Sequence, residues 1–158
     1  MVVNMEELDF SKVVTEDLIQ LDLQATTKIE VIKELTNLLF VNGCIDDEEG
    51  FIKDVMYRES EGVTGLEKGI AIPHGKSDYV LKTSIAIGRT KQHVEWESMD
   101  GSPINIIILF AVKNTDKTTT HIKLLQKIAV LLSDEETIEQ FQTLQTKKDF
   151  LNLLSKNN

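Results

Sequence analysis

Cysteine is almost missing from this chain: Cys44 is the single one in 158 residues. No disulfide can close within it, which suits a reducing compartment. Proline is nearly as scarce, with only Pro73 and Pro103. No Pro/Gly/Ser-rich stretch marks a linker, and no internal repeat appears. A single domain over 1–158, with its core at about 10–155, is the expected organisation. That length suffices for one core of two or three layers. Long apolar runs are absent as well. The longest, Ile106 to Val112, falls far short of the roughly 20 residues that cross a bilayer. The start, Met1-Val2-Val3-Asn4-Met5-Glu6-Glu7, has no basic segment leading into an apolar one and does not look like a secretory signal. Basic charge is in deficit: 17 Lys and Arg against 26 Asp and Glu leave a net charge of -9. Nucleic acid and anionic membranes need clustered cations, so neither is an expected partner. An acidic surface suits a partner with a basic face, although such a balance more often serves solubility alone. A cytoplasmic protein, linked to membranes only through other proteins, is the expectation. No metal-ligand cluster is evident, and Cys44 alone cannot build a zinc site.

What is present is an ordinary globular composition, 41% hydrophobic and 27% charged. Ile19, Leu21 and Leu23 alternate with polar residues, the period of a half-buried strand. Thr27 and Glu30 form a capping-box pair that opens a helix, carried on by Ile32, Leu35, Leu38 and Leu39 and stopped at Gly43. A second helix is expected from Asp46, capped with Glu49, running through Ile52, Val55 and Met56 to fade over Arg58 to Gly62. A glycine-rich loop follows, then a short strand ended by Pro73. Ser84–Arg89 reads as another strand. Ile104–Val112 reads as a strand buried on both faces. After a polar loop over 113–120, a helix is expected from His121, marked by Ile122, Leu125, Ile128, Ala129 and Leu132. Ser133 with Glu136 would cap the next, whose inner face carries Ile138, Phe141 and Leu144. A last helix falls over 146–154. Interspersed helices and strands around one buried strand predict a three-layer α/β sandwich with helices on both faces of the sheet.

The chemistry centres on Ile70-Ala71-Ile72-Pro73-His74-Gly75. Proline ends the strand because it has no N–H to give the ladder. Glycine after the histidine leaves room for another molecule to approach. His74 is thereby expected at the exposed end of a rigid element, neutral near pH 7, as a nucleophilic imidazole requires. An isolated histidine in such a place more often only caps a strand. His121, after three threonines, sits at an expected helix start, where unpaired N–H groups and a partial positive charge attract phosphate. Arg58 precedes the glycine-rich loop, and a guanidinium can grip phosphate oxygens two at a time. Thr64 in that loop could donate to phosphate or simply shape a turn. His93 and Cys44 read as structural, Cys44 half-buried. Trp96 and the Asp100-Gly101 turn read as elements of the fold.

The run Arg58-Glu59-Ser60-Glu61-Gly62-Val63-Thr64-Gly65-Leu66, followed by Gly69 to Gly75, resembles the IIA domain of the fructose/mannitol class of the bacterial phosphoenolpyruvate:sugar phosphotransferase system. Phe110-Ala111-Val112 and His121-Ile122-Lys123-Leu124-Leu125 resemble it too, as does Leu132-Ser133-Asp134-Glu135-Glu136. The likeness covers roughly residues 10–155. Glu67, where several members carry a small residue, and Lys68 depart from it. The resemblance implies a mixed parallel/antiparallel sheet with helices on both sides. It implies a phosphotransferase component in which His74 accepts a phosphoryl group from HPr, the small carrier protein, and passes it to a IIB domain. His121 would stabilise the moving group and Arg58 would contact it, with no metal or organic cofactor. The membrane would be reached only through a IIC partner. Sugar uptake, fructose-type, is the leading role, and Asp100-Gly101-Ser102-Pro103-Ile104 leans toward sugar-type members. A nitrogen-related regulatory IIA, acting through phosphorylation-dependent protein binding, is the alternative. A non-catalytic interaction module is disfavoured by the presence of both His74 and His121.

Overall fold

The computed structural model describes residues 10–115 and 118–155, apart from the side chains of 118–121. In chain order, after two short 3-10 turns (Phe10–Lys12 and Glu16–Leu18), the described strands and α-helices are β1 (Ile19–Leu23), α1 (Lys28–Val41), α2 (Glu48–Glu61), β2 (Ile70–Ala71), β3 (His74–Ser77), β4 (Ser84–Val94), β5 (Ile104–Lys113), α3 (Thr118–Leu132), α4 (Glu135–Thr143) and α5 (Lys147–Ser155). The sheet runs β1-β4-β5-β2, with β3 also on β5. It is mixed: β1 lies parallel to β4, β4 antiparallel to β5, and β2 and β3 both parallel to β5. Every residue from Ile104 to Val112 is buried, so both faces of the sheet are covered. The expected α/β sandwich is the fold.

The starts of α1, α2 and α4 follow local chemistry, the last two shifted by one residue. Thr27 caps α1 by accepting from the Glu30 N–H at 3.3 Å. Glu30 reaches back not to the cap's own N–H but to that of Thr26, at 3.2 Å. Gly43, just past α1, has φ 75°, the left-handed turn that only glycine adopts without strain. The cap of α2 is Asp47, not Asp46, accepting from Gly50 N–H at 3.1 Å. The cap of α4 is Asp134, not Ser133, accepting from Glu136 N–H at 3.1 Å. In both places two adjacent polar residues could have capped. The one chosen places the apolar stripe on the core, with Phe51 and Val55 in α2 and Phe141 in α4 fully buried. Strand β4 runs on to Val94, and α3 starts at Thr118, earlier than His121.

Pro73 interrupts its strand without ending it. Strand β2 stops at Ala71, and on the side away from β5 the Ile72 N–H donates to the Thr64 carbonyl at 3.0 Å, beside the Gly65–Ala71 bridge. Pro73 cannot donate, but its carbonyl accepts from Phe110 N–H at 2.9 Å. That bond carries the register across, and pairing resumes at His74↔Phe110. Gly75 then faces α2: a Cβ there would stand 2.5 Å from Phe51 Cε1 and 2.8 Å from Val55 Cγ2. The space expected for a visiting molecule is filled by the protein's own helix. Nearby, Asp100 clasps the preceding loop. It accepts from Lys68 N–H at 3.0 Å, Ser102 N–H at 3.0 Å and Ser102 Oγ at 2.5 Å. Lys68 is itself held at φ 58°.

Two predictions follow from this packing. Gly75→Ala should lower stability by about 1–3 kcal/mol, because two fully buried side chains must shift. Gly65→Ala should cost more, because the obstacle there is the main chain of Glu97 and Ser98. Urea titrations with unchanged slope would show both, and equal midpoints for the two variants would refute the ranking. The bonds to Asp100, first from Ser102 and then from the Lys68 N–H, hold its carboxyl well below the usual carboxylate range. A depressed pKa contributes stability that is present above the unfolded value and lost as pH falls toward the folded one. Asp100→Asn should therefore melt below wild type at pH 7. The gap should begin to close below about pH 4, and a gap constant down to pH 3 would refute the clasp.

Candidate functional site

His74 is the first residue of β3 and is 6% exposed. Rigid placement was expected and is found, but not at an exposed end. Three features hold the ring. Its backbone is paired with β5, its plane stacks on Phe110 at 5.2 Å between centroids and 19° between planes, and the next residue lies under Phe51 and Val55 of α2. The Nδ1 atom is out of contact with solvent. Phe110 is fully buried. No local pattern singles it out, because its role depends on which strand β3 joins.

Arg58 sits in the last turn of α2, three residues beyond Val55 and so on the side of the helix that packs against β3. It is half-buried. Its Nη1 lies 3.8 Å from where a Cβ on Gly62 would stand, at the mouth of the glycine-rich loop. Among the described residues its guanidinium has no hydrogen-bond or ion-pair partner. An arginine whose guanidinium has no partner among the described residues can receive an anion.

His121 lies in the first turn of α3, and its side chain falls outside the described residues. Topology still brings this turn to the right end of the sheet. Strands β3 and β5 run parallel and end together at Ser77↔Lys113, and α3 is the next element after β5. The helix start, with its unpaired N–H groups, is therefore fed from the end of the sheet that carries His74.

Thr64 does not offer its hydroxyl to a ligand. It is 2% exposed, and its Oγ donates to Glu59 Oε2 at 2.6 Å. The other oxygen of Glu59 takes Lys28 Nζ at 2.6 Å, and Lys28 lies 5.0 Å over the ring of Trp96. Sequence reasoning passed over Lys28 and Glu59, because surface-type residues on two helices give no sign of meeting. His93, exposed near the end of β4, and Cys44, 1% exposed rather than half-buried, stand outside this group. Among the described residues no cluster of His, Cys, Asp or Glu could hold a metal ion. No described helix is long and apolar enough to cross a membrane.

The sequence and the fold are similar to those of known proteins. The chain is 29% identical over 94% of its length to the fructose-specific EIIABC component of the phosphotransferase system of Bacillus subtilis, and spans 23% of that longer relative. Its fold matches the nitrogen regulatory protein IIA-Ntr of Neisseria meningitidis with a TM-score of 0.84. That match is 26% identical and covers 91% of this chain and 97% of the other. It matches the complex of enzyme IIA-Mtl with phosphorylated enzyme IIB-Mtl from Escherichia coli at a TM-score of 0.77. That match is 25% identical and covers 90% of this chain and 97% of the other. Residues 12–157, nearly the whole chain, fit the family model of the phosphoenolpyruvate-dependent sugar phosphotransferase system, EIIA 2, so the chain belongs to this family.

Proposed function

We propose that this chain works as one IIA domain over 1–158, taking a phosphoryl group from HPr on His74 and passing it to a IIB domain. The observation that carries this is a rigidly stacked His74 on β3 together with an Arg58 guanidinium that has no partner among the described residues, on the face of α2 that packs against β3. The acidic chain, at -9, makes such a local cation necessary if a phosphate is to stay. Burial of Nδ1 supports Nε2 as the accepting nitrogen. In transfer, one N–P bond breaks in the donor's phosphohistidine as one forms on His74 Nε2. The proton on the other nitrogen of each ring stays where it is, so atoms and charge balance. Arg58 contacts the phosphoryl oxygens, and the first turn of α3 with His121 stabilises the group as it moves. Positioning and charge neutralisation supply the catalysis, as phosphoryl transfer requires. No metal or organic cofactor takes part.

The role is that of a cytoplasmic carrier in sugar uptake, reaching the membrane only through IIC. The likeness to a fructose-specific relative supports a fructose-type sugar. A nitrogen-related regulatory role is the second reading, supported by the match to IIA-Ntr. Loss of growth on one sugar after deletion, restored by wild type and not by His74→Ala, would favour uptake. Normal growth on every transported sugar would favour regulation.

Incubation with phosphoenolpyruvate, enzyme I and HPr should add one acid-labile phosphoryl group to wild type and none to His74→Ala, as read by intact mass. Labelling of His74→Ala to the wild-type level would end this assignment. Arg58→Gln and His121→Ala should each slow single-turnover transfer about 100-fold, with melting temperatures close to wild type. A loss of rate that only tracks unfolding would make both residues structural.

A further inference from the structure

Glu59 directly follows Arg58 in α2, and its side chain is only 4% exposed. A carboxylate so buried needs a cation. It takes Lys28, the first residue of α1, at 2.6 Å. Its second oxygen is filled by Thr64 Oγ at 2.6 Å. With both oxygens occupied, nothing draws Arg58 away from its face of the helix. The connection continues toward the site. The Thr64 carbonyl accepts from Ile72 N–H at 3.0 Å, in the gap between β2 and β3 and two residues before His74. Gly65, the next residue, bridges to Ala71 and Ser98. Lys28 is in turn seated over Trp96 behind the Thr27 cap.

We propose that Lys28, Glu59 and Thr64 are positioning residues for the transfer, with Lys28 occupying the Glu59 carboxylate so that Arg58 stays open to the phosphoryl group. This rests on the assignment of His74 as the phosphoryl carrier. The buried carboxylate has a structural use, since it ties the last turn of α2 to the loop and to α1. Left without Lys28 it would become a competitor of phosphate. It would pair with the neighbouring guanidinium, or repel the incoming dianion. Lys28 removes both effects, because the pair carries no net charge. Thr64 adds geometry: its hydroxyl holds the glycine-rich loop to α2 while its carbonyl holds the strand gap ahead of His74.

The test compares single-turnover phosphorylation by phospho-HPr of wild type, Lys28→Met, Lys28→Met/Glu59→Gln, Lys28→Arg and Thr64→Val, with melting curves of each. Lys28→Met should slow transfer about tenfold or more while the concentration of phospho-HPr giving half-maximal rate stays near wild type. Adding Glu59→Gln should recover most of the rate, because the stranded carboxylate is gone, and Lys28→Arg should recover it because the cation is kept. A merely structural pair predicts the opposite for the double variant, which loses both partners. Wild-type rate in Lys28→Met, or a double variant no faster than Lys28→Met, would overturn the proposal. Should Lys28→Met not fold, Thr64→Val decides: slowed transfer in a folded protein supports the network, and wild-type rate overturns it. Failure of wild type itself to label at His74 would instead sink the carrier assignment.

Discussion

A single missing N–H organises this site. Pro73 cannot donate to β5, so the edge of the sheet is shared between two short strands with a gap at Ile72-Pro73. The gap is useful because its ends are tied. Phe110 N–H holds the Pro73 carbonyl, and Thr64 holds the Ile72 N–H. Pairing resumes with His74 opposite Phe110, so the imidazole is set both in register and in ring plane. On its other side the segment holds the glycine-rich loop, through the bridge of Gly65 to Ala71 and the Ile72 N–H bond to Thr64.

The same segment explains why the glycines matter here. Gly75 lets α2 lie directly on β3, and Gly65 lets the glycine-rich loop lie directly on the main chain of Glu97 and Ser98. Both contacts exclude a side chain rather than admit a ligand. Close packing in turn puts the last turn of α2, with Arg58 and Glu59, beside the histidine strand. Charge is then sorted by distance. The buried carboxylate is neutralised from α1, and the guanidinium has no partner among the described residues. In a chain with a net charge of -9, that local sorting outweighs the overall balance, because nearby charges act through protein while distant ones are screened by salt.

The elements were largely legible from their patterns. Alternation at Ile19–Leu23, the apolar run at Ile104–Lys113 and the capped helical stripes all appear where spacing puts them. Helix starts slipped by one residue wherever two adjacent polar residues competed, at Asp46-Asp47 and at Ser133-Asp134. Local hydrogen bonding is nearly equal for such neighbours, and burial of Phe51, Val55 and Phe141 breaks the tie. His74 was expected to be open to solvent because proline and glycine flank it. Both residues turned out to serve the strand gap and the packing of α2.

By itself the sequence determined the order and kind of the main secondary-structure elements and the Thr27 cap of α1. It also set the α/β class and the membership of the EIIA 2 family that the Ala71-Ile72-Pro73-His74-Gly75 core announces. These depend on residues close together in the chain, whose spacing sets which face is apolar and which N–H groups need a cap. Tertiary structure alone decided that His74 stacks on Phe110, that α2 fills the place of a Gly75 side chain, and that Thr64 serves Glu59 rather than a ligand. Those contacts join residues 5 to 36 positions apart, and two of them follow from which strand β3 joins and from how α2 lies upon it. Spacing along the chain carries no record of either.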